Sequence, residues 1–66
     1  MKNRLKIERA IANLTQADLA EKIAVSRQTI NAIEAGKFVP STVLALKLSR
    51  LFEKPVNEIF ELEDED

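Results

Sequence analysis

The sequence predicts an all-α fold of five short helices, on three observations. Helix start and stop residues recur at short intervals, apolar residues fall at helical spacing, and alternating β-branched runs are scarce. Thr15, Ser26 and Ser41 are N-cap residues ahead of apolar-periodic segments. Gly36 is the sole glycine, and the only prolines are Pro40 and Pro55.

The first helix is expected from about Arg4 to Ala12. Thr15 then opens a capping box, T-x-x-D. Its hydroxyl can accept from the amide of Asp18, whose carboxylate can return to the cap amide and also complements the helix dipole. That second helix extends to about Ile23. Ser26 caps a third helix over Arg27 to about Ala35, and Gly36 stands where a left-handed residue closes a helix. Lys37-Phe38-Val39-Pro40 is a short loop, and Ser41 caps a fourth helix ending near Phe52. Pro55, at a first-turn position, begins a fifth helix through about Phe60.

On the fourth helix Leu44, Leu48, Leu51 and Phe52 follow i, i+4, i+7, i+8, one face of a 3.6-residue period. With Leu5, Leu14, Leu19, Ala20, Ile23, Val25, Ile30, Ile33, Ala45, Val56, Ile59 and Phe60 they form the expected core. The 66 residues allow one domain over residues 1–66, with 61–66 as an acidic tail. A chain this short buries only about 60% of its unfolded surface. Without cysteine or histidine it has neither disulfides nor the common zinc frameworks, so association with a partner subunit is favoured.

The net charge of −1 hides an asymmetry. Glu61, Glu63, Asp64, Glu65 and Asp66 give the tail −5, whereas ten basic and six acidic residues leave +4 over residues 1–60. A positive body with an acidic tail is compatible with a surface facing phosphates, and the tail itself reads first as a solvated, frayed end. The opening MKNRLKIERA contains no apolar h-region, and no apolar run approaches a membrane span, so a soluble cytoplasmic protein is expected. Catalysis is not: there is no histidine, cysteine, tyrosine or tryptophan and no glycine-rich phosphate loop. No cofactor, metal or small-molecule ligand is expected either.

Only Ala24-Val25-Ser26 separates the second and third helices. A turn that short forces a steep crossing, and Ala20 supplies the small residue needed where the backbones approach. The pair reads as a helix-turn-helix unit whose second helix can enter a DNA major groove. Arg27, Gln28, Thr29 and Asn31 crowd the outward face of that helix, opposite Ile30 and Ile33. Arginine can bond bidentately to guanine and glutamine or asparagine to adenine, while threonine can reach a phosphate or a thymine methyl. Such a face is also what any solvated helix presents; the tight turn beside it points to DNA.

The segment LTQADLAEKIAVSRQTINAIEAGKFVPS resembles the Cro/repressor-type (xenobiotic-response-element) family of helix-turn-helix regulators. The resemblance covers residues 4 to 62, with Leu14-Thr15-Gln16, Leu19-Ala20, Ser26 to Ile30, Ile33-Glu34 and Gly36 at the family spacing. It implies a lambda-repressor-like DNA-binding domain in a prokaryotic, archaeal or phage regulator working at the nucleoid. By the same resemblance Gln16 touches a phosphate, helped by exposed helix-end amides. Arg27 and Gln28 read base edges, and Thr29 and Asn31 read bases or position the helix. The Ala32 methyl meets a thymine, and Lys37 grips the backbone. Arg9 and Glu34 match a partly buried ion pair joining the first and third helices. Two positions depart from the family: Ala24 replaces the usual turn glycine, and Val39 lies where a polar residue is common.

Short members of that family are often homodimers on near-palindromic operators, with recognition helices about 34 Å apart. Val43 and Leu46 face away from Leu44, Leu48 and Leu51. They can therefore serve a dimer interface, unless Leu46 packs on a neighbouring helix. Phe60-Glu61-Leu62-Glu63 alternates with period two, suggesting a short strand that Met1-Lys2-Asn3 can pair with, as in similar small regulators, and Leu62 joins the candidate interface. The expected function is a sequence-specific transcription regulator, a repressor acting by operator occupancy. The competing reading is a protein-interaction module of the same fold, docking through its acidic tail.

Overall fold

Four of the five helices stop on a residue with positive φ, although the chain has one glycine. The computed structural model describes all residues, Met1–Asp66. Its order is β1 (Lys2–Asn3), α1 (Leu5–Ile11), α2 (Gln16–Lys22), α3 (Arg27–Glu34), α4 (Thr42–Phe52), α5 (Val56–Ile59) and β2 (Phe60–Glu61). The fold is thus all-α with a two-stranded antiparallel sheet joining its ends.

Three of the five starts, those of α2, α3 and α4, are capped by a side chain. Thr15 and Asp18 form the reciprocal capping box: the Asp18 amide donates to Thr15 Oγ1 at 3.0 Å and the Thr15 amide to Asp18 Oδ2 at 3.0 Å. Ser26 Oγ accepts from the Thr29 amide, and Ser41 Oγ from the Leu44 amide. The hydrogen bonds from Thr15 hold the Asp18 carboxyl below its ordinary pKa. A lowered folded pKa stabilises the fold fully above the unfolded value, near pH 4, and this is lost as pH falls through the folded value. Asp18→Asn is therefore expected to flatten the acid limb of a urea-stability profile below about pH 4.

The stops follow one pattern. After α1, Leu14 N–H donates to Arg9 O and Asn13 N–H to Ala10 O. After α2, Val25 donates to Ala20 and Ala24 to Glu21; after α3, Lys37 donates to Ala32 and Gly36 to Ile33. These are Schellman closures, each needing a left-handed residue. That residue is Asn13 (φ 58°), Ala24 (φ 59°) and Gly36 (φ 73°), and Glu53 (φ 54°) closes α4 similarly. At Ala24 the conformation costs an L-residue about 1 kcal/mol. Ala24→Gly is accordingly expected to raise the unfolding free energy by up to about 1 kcal/mol, the flexibility of an unfolded glycine offsetting part of the relief. Urea denaturation measures it.

Two boundaries differ from expectation. Pro55 is the N-cap of α5 (φ −58°, ψ 149°) rather than a residue of its first turn, and α5 ends at Ile59 because Phe60 is already extended. Phe60 pairs with Asn3 and Glu61 with Lys2. The strand stops there instead of running to Glu63. The Met1 ammonium draws in Glu63 (3.0 Å) and Asp66 (3.1 Å), and the Asp66 carboxylate accepts from the Glu63 amide at 2.8 Å, curling the tail into a turn.

The core comprises Leu5, Leu19, Ala20, Ile23, Ile30, Ile33, Leu44, Leu48, Ile59 and Phe60. All are among the expected residues; Leu14, Val25, Ala45, Leu51, Phe52 and Val56 pack against it half-buried, joined by Met1. The unexpected member is Glu8, a buried carboxylate that accepts from Lys54 Nζ at 2.8 Å and so ties α1 to the α4–α5 turn.

Candidate nucleic-acid interface

The sequence from Lys22 to Phe52 contains five cations, Lys22, Arg27, Lys37, Lys47 and Arg50, and one acid, Glu34. Glu34 does not oppose them at the surface. Its side chain is 6% exposed and forms a two-toothed pair with Arg9, Nε to Oε2 at 2.7 Å and Nη2 to Oε1 at 3.3 Å. Arg9 Nη1 also donates to the Leu14 carbonyl at 2.9 Å. This pair fastens α3 to α1, and the hydrogen bond that Arg9 donates to Glu34 raises the Arg9 pKa further, keeping the guanidinium charged.

α3 buries Ile30 and Ile33 and turns Arg27, Gln28 and Asn31 to solvent, as positions i, i+1 and i+4 of one helix must lie. Thr29 and Ala32 flank this face half-buried. The Thr29 hydroxyl is within 2.9 Å of the Ser26 hydroxyl, which engages it at the helix start. Lys37 is exposed just beyond α3, with no side-chain hydrogen bond, and Gln28 likewise has none.

Gln16 organises the face. From the first position of α2, its amide nitrogen reaches Asn31 Oδ1 (3.3 Å) and Glu34 Oε1 (3.1 Å), while its oxygen accepts from Arg27 Nη1 (3.4 Å). Gln16, Arg27 and Asn31 are therefore gathered into one network anchored on the Arg9–Glu34 pair. Arg27 spends one long bond on it and keeps its other donors. The network fixes these positions: Arg27 keeps free donors and Gln28 its whole amide, whereas the Gln16 donors and the Asn31 oxygen are engaged within it and must exchange partners to meet a ligand.

Sequence reasoning missed Asn3. Its side-chain amide donates to the Ile33 carbonyl at 2.9 Å and its oxygen accepts from the Leu5 amide at 3.1 Å, so one residue satisfies the first amide of α1 and holds the end of α3. An asparagine just ahead of a helix is a capping signal, but its second bond spans thirty positions of sequence and leaves no local trace. The candidate interface residues Val43, Leu46 and Leu62 are 65%, 57% and 76% exposed, so Leu46 is not covered by a neighbouring helix.

Two helices joined by a four-residue turn, the second polar, cation-bearing and exposed along one face, are the architecture of a DNA-binding helix-turn-helix regulator. Comparison with known proteins agrees. The chain belongs to the helix-turn-helix family of the Cro/C1 type, whose profile matches residues 5–59. It is 54% identical over its whole length to all of the uncharacterized HTH-type transcriptional regulator MJ0272 of Methanocaldococcus jannaschii. It is 44% identical, again over both full lengths, to the uncharacterized HTH-type transcriptional regulator YgzD of Bacillus subtilis. An uncharacterized HTH-type transcriptional regulator of Archaeoglobus fulgidus is 41% identical over the whole chain and 93% of the relative. The family is one of DNA-binding transcription regulators and not an enzyme class. No helix is long and apolar enough to cross a membrane.

Proposed function

We propose that the whole chain acts as one DNA-binding domain, a cytoplasmic repressor that occupies a palindromic operator as a homodimer, with α3 in the major groove. One observation carries the reading: Arg27, Gln28 and Asn31 share an outward face of a helix whose single carboxylate, Glu34, is buried and paired. Arg27 and Gln28 read base edges, Asn31 reads a base or fixes the tilt of α3, and the Ala32 methyl lies against a thymine. Thr29 positions the helix start. Gln16, at the start of α2, contacts a phosphate, and Lys37 neutralises another. Repression by occupancy requires nothing of the chain beyond this contact and the pairing of two copies.

Val43, Leu46 and Leu62 support the homodimer as apolar side chains left uncovered by their own fold. Selection from a random duplex pool tests the reading. The expected consensus is a near-palindrome with half-site centres about one helical turn apart, 10–10.5 bp. An asymmetric single site contradicts the dimer, and no enrichment contradicts base reading. Lys37→Ala is expected to weaken selected and random duplexes alike and to lower the slope of log affinity against log salt by about one unit.

A further inference from the structure

Two hollows flank the outer ridge of α4. Val43, Leu46, Lys47 and Arg50, at i, i+3, i+4 and i+7, form that ridge. On one side lies an apolar groove whose walls include Met1, Val39, Leu46, Val56 and Phe60. On the other, between the end of α2 and the last turns of α4, is a cleft of about 530 Å³. Lys22, Lys47 and Arg50 edge it over a floor of Ile23 and Leu51, with Glu53 its single acid. None of these three cations is in an ion pair. The acidic tail stands at the groove end of the same surface, because the Met1 that lines the groove also holds Glu63 and Asp66.

One surface therefore runs from acidic tail through apolar groove and ridge to basic cleft. In a two-fold pairing a patch meets itself reversed, so that residue i of one copy faces j of the other and j faces i. A two-fold axis crossing this ridge brings the acidic end of each copy against the basic end of its mate. We infer that the tail segment Glu61–Asp66 of one copy docks in the Lys22–Lys47–Arg50 cleft of a second copy, clamping the dimer by charge at both ends. Glu61, Asp64 and Glu65, the tail acids that Met1 does not hold, meet three unpaired cations, and Leu62, exposed among those acids, brings an apolar side chain to the Ile23–Leu51 floor. This clamp rests on the homodimer reading above and adds to it the segment and the site.

A charge swap tests it. Chain one carries Lys47→Glu and Arg50→Glu with its own tail; chain two carries Glu61→Lys, Asp64→Lys and Glu65→Lys, which turn the tail from −5 to +1, with its own cleft. These positions are outside the core, and the tail changes spare the two acids bound to Met1, so thermal melts like that of the unaltered protein are the folding control. Each chain alone is expected to self-associate roughly tenfold or more weakly than the unaltered protein in sedimentation equilibrium, since like charges then face each other. An equimolar mixture is expected to recover the original affinity as mixed dimers, both of whose clamps are again opposite in sign. Variants that dimerise as tightly as the unaltered chain, or a mixture no tighter than its components, overturn the clamp and leave the homodimer standing. Unchanged dimerisation with weakened DNA binding in chain one overturns it too and assigns the cleft to phosphates. An unaltered protein that stays monomeric at about 0.5 mM, well above ordinary dimer affinities, overturns the homodimer itself.

Discussion

Arg9→Ala is expected to lower the unfolding free energy by about 3 kcal/mol, because it strands a buried carboxylate. Glu34 is 6% exposed and would keep only the bond from Gln16, while the Leu14 carbonyl would lose its Arg9 donor. In a domain of this size each kcal/mol moves the midpoint by roughly 4–8 °C, so a melt should fall by at least about 12 °C. The pair as a whole is worth much less than its breakage costs, since two charges had to leave water to form it. Arg9→Met with Glu34→Leu should therefore recover most of the loss, as judged by urea unfolding of the single and double variants. An additive double variant would mean that the two side chains act independently.

The second large effect falls on recognition. Arg27→Ala and Gln28→Ala are each expected to weaken binding to the selected site by about 1–3 kcal/mol and to relax discrimination at one base pair, with little change on random duplex. Gln28 is the cleaner probe, because its amide makes no bond within the chain, whereas Arg27 also bonds Gln16. Arg27→Lys keeps the charge but not the planar fork, so it should retain random-duplex affinity while losing specificity. Titrating each variant against the selected site, single-base substitutions of it and a scrambled duplex separates these outcomes. Equal losses on all three duplexes would assign both side chains to the phosphate backbone.

The helix starts and the α3 face were legible in the sequence because their signals are local. A threonine three residues before an aspartate, or a serine ahead of an apolar period, is satisfied within one turn. The stops were less legible. Gly36 announces a left-handed residue, but Asn13 and Glu53 do so weakly or not at all, and at Ala24 and Glu53 neighbouring packing imposes the conformation against side-chain preference. α1 shows the limit of periodicity. It turns Glu8 and Arg9 inward and leaves Ile7 and Ile11 exposed, because Lys54 and Glu34, far away in sequence, compensate those charges. A pattern of apolar residues cannot register partners that only the fold supplies. The tail escaped for the same reason: its alternation suggested a four-residue strand, but bonds to Met1 and within the turn end it after Glu61. On the exposed face of α3, the polar side chains could be read from the sequence, but the Gln16-centred network that fixes them required coordinates.

Chemical-shift mapping of the ¹⁵N-labelled protein during titration with its selected duplex tests the central claim most directly, that the exposed face of α3 is what meets DNA. The largest shifts are expected at Gln16, Arg27, Gln28, Asn31 and Lys37, with Lys22, Lys47 and Arg50 quiet once the dimer is formed. Shifts concentrated around the α2–α4 cleft, with α3 silent, would contradict it.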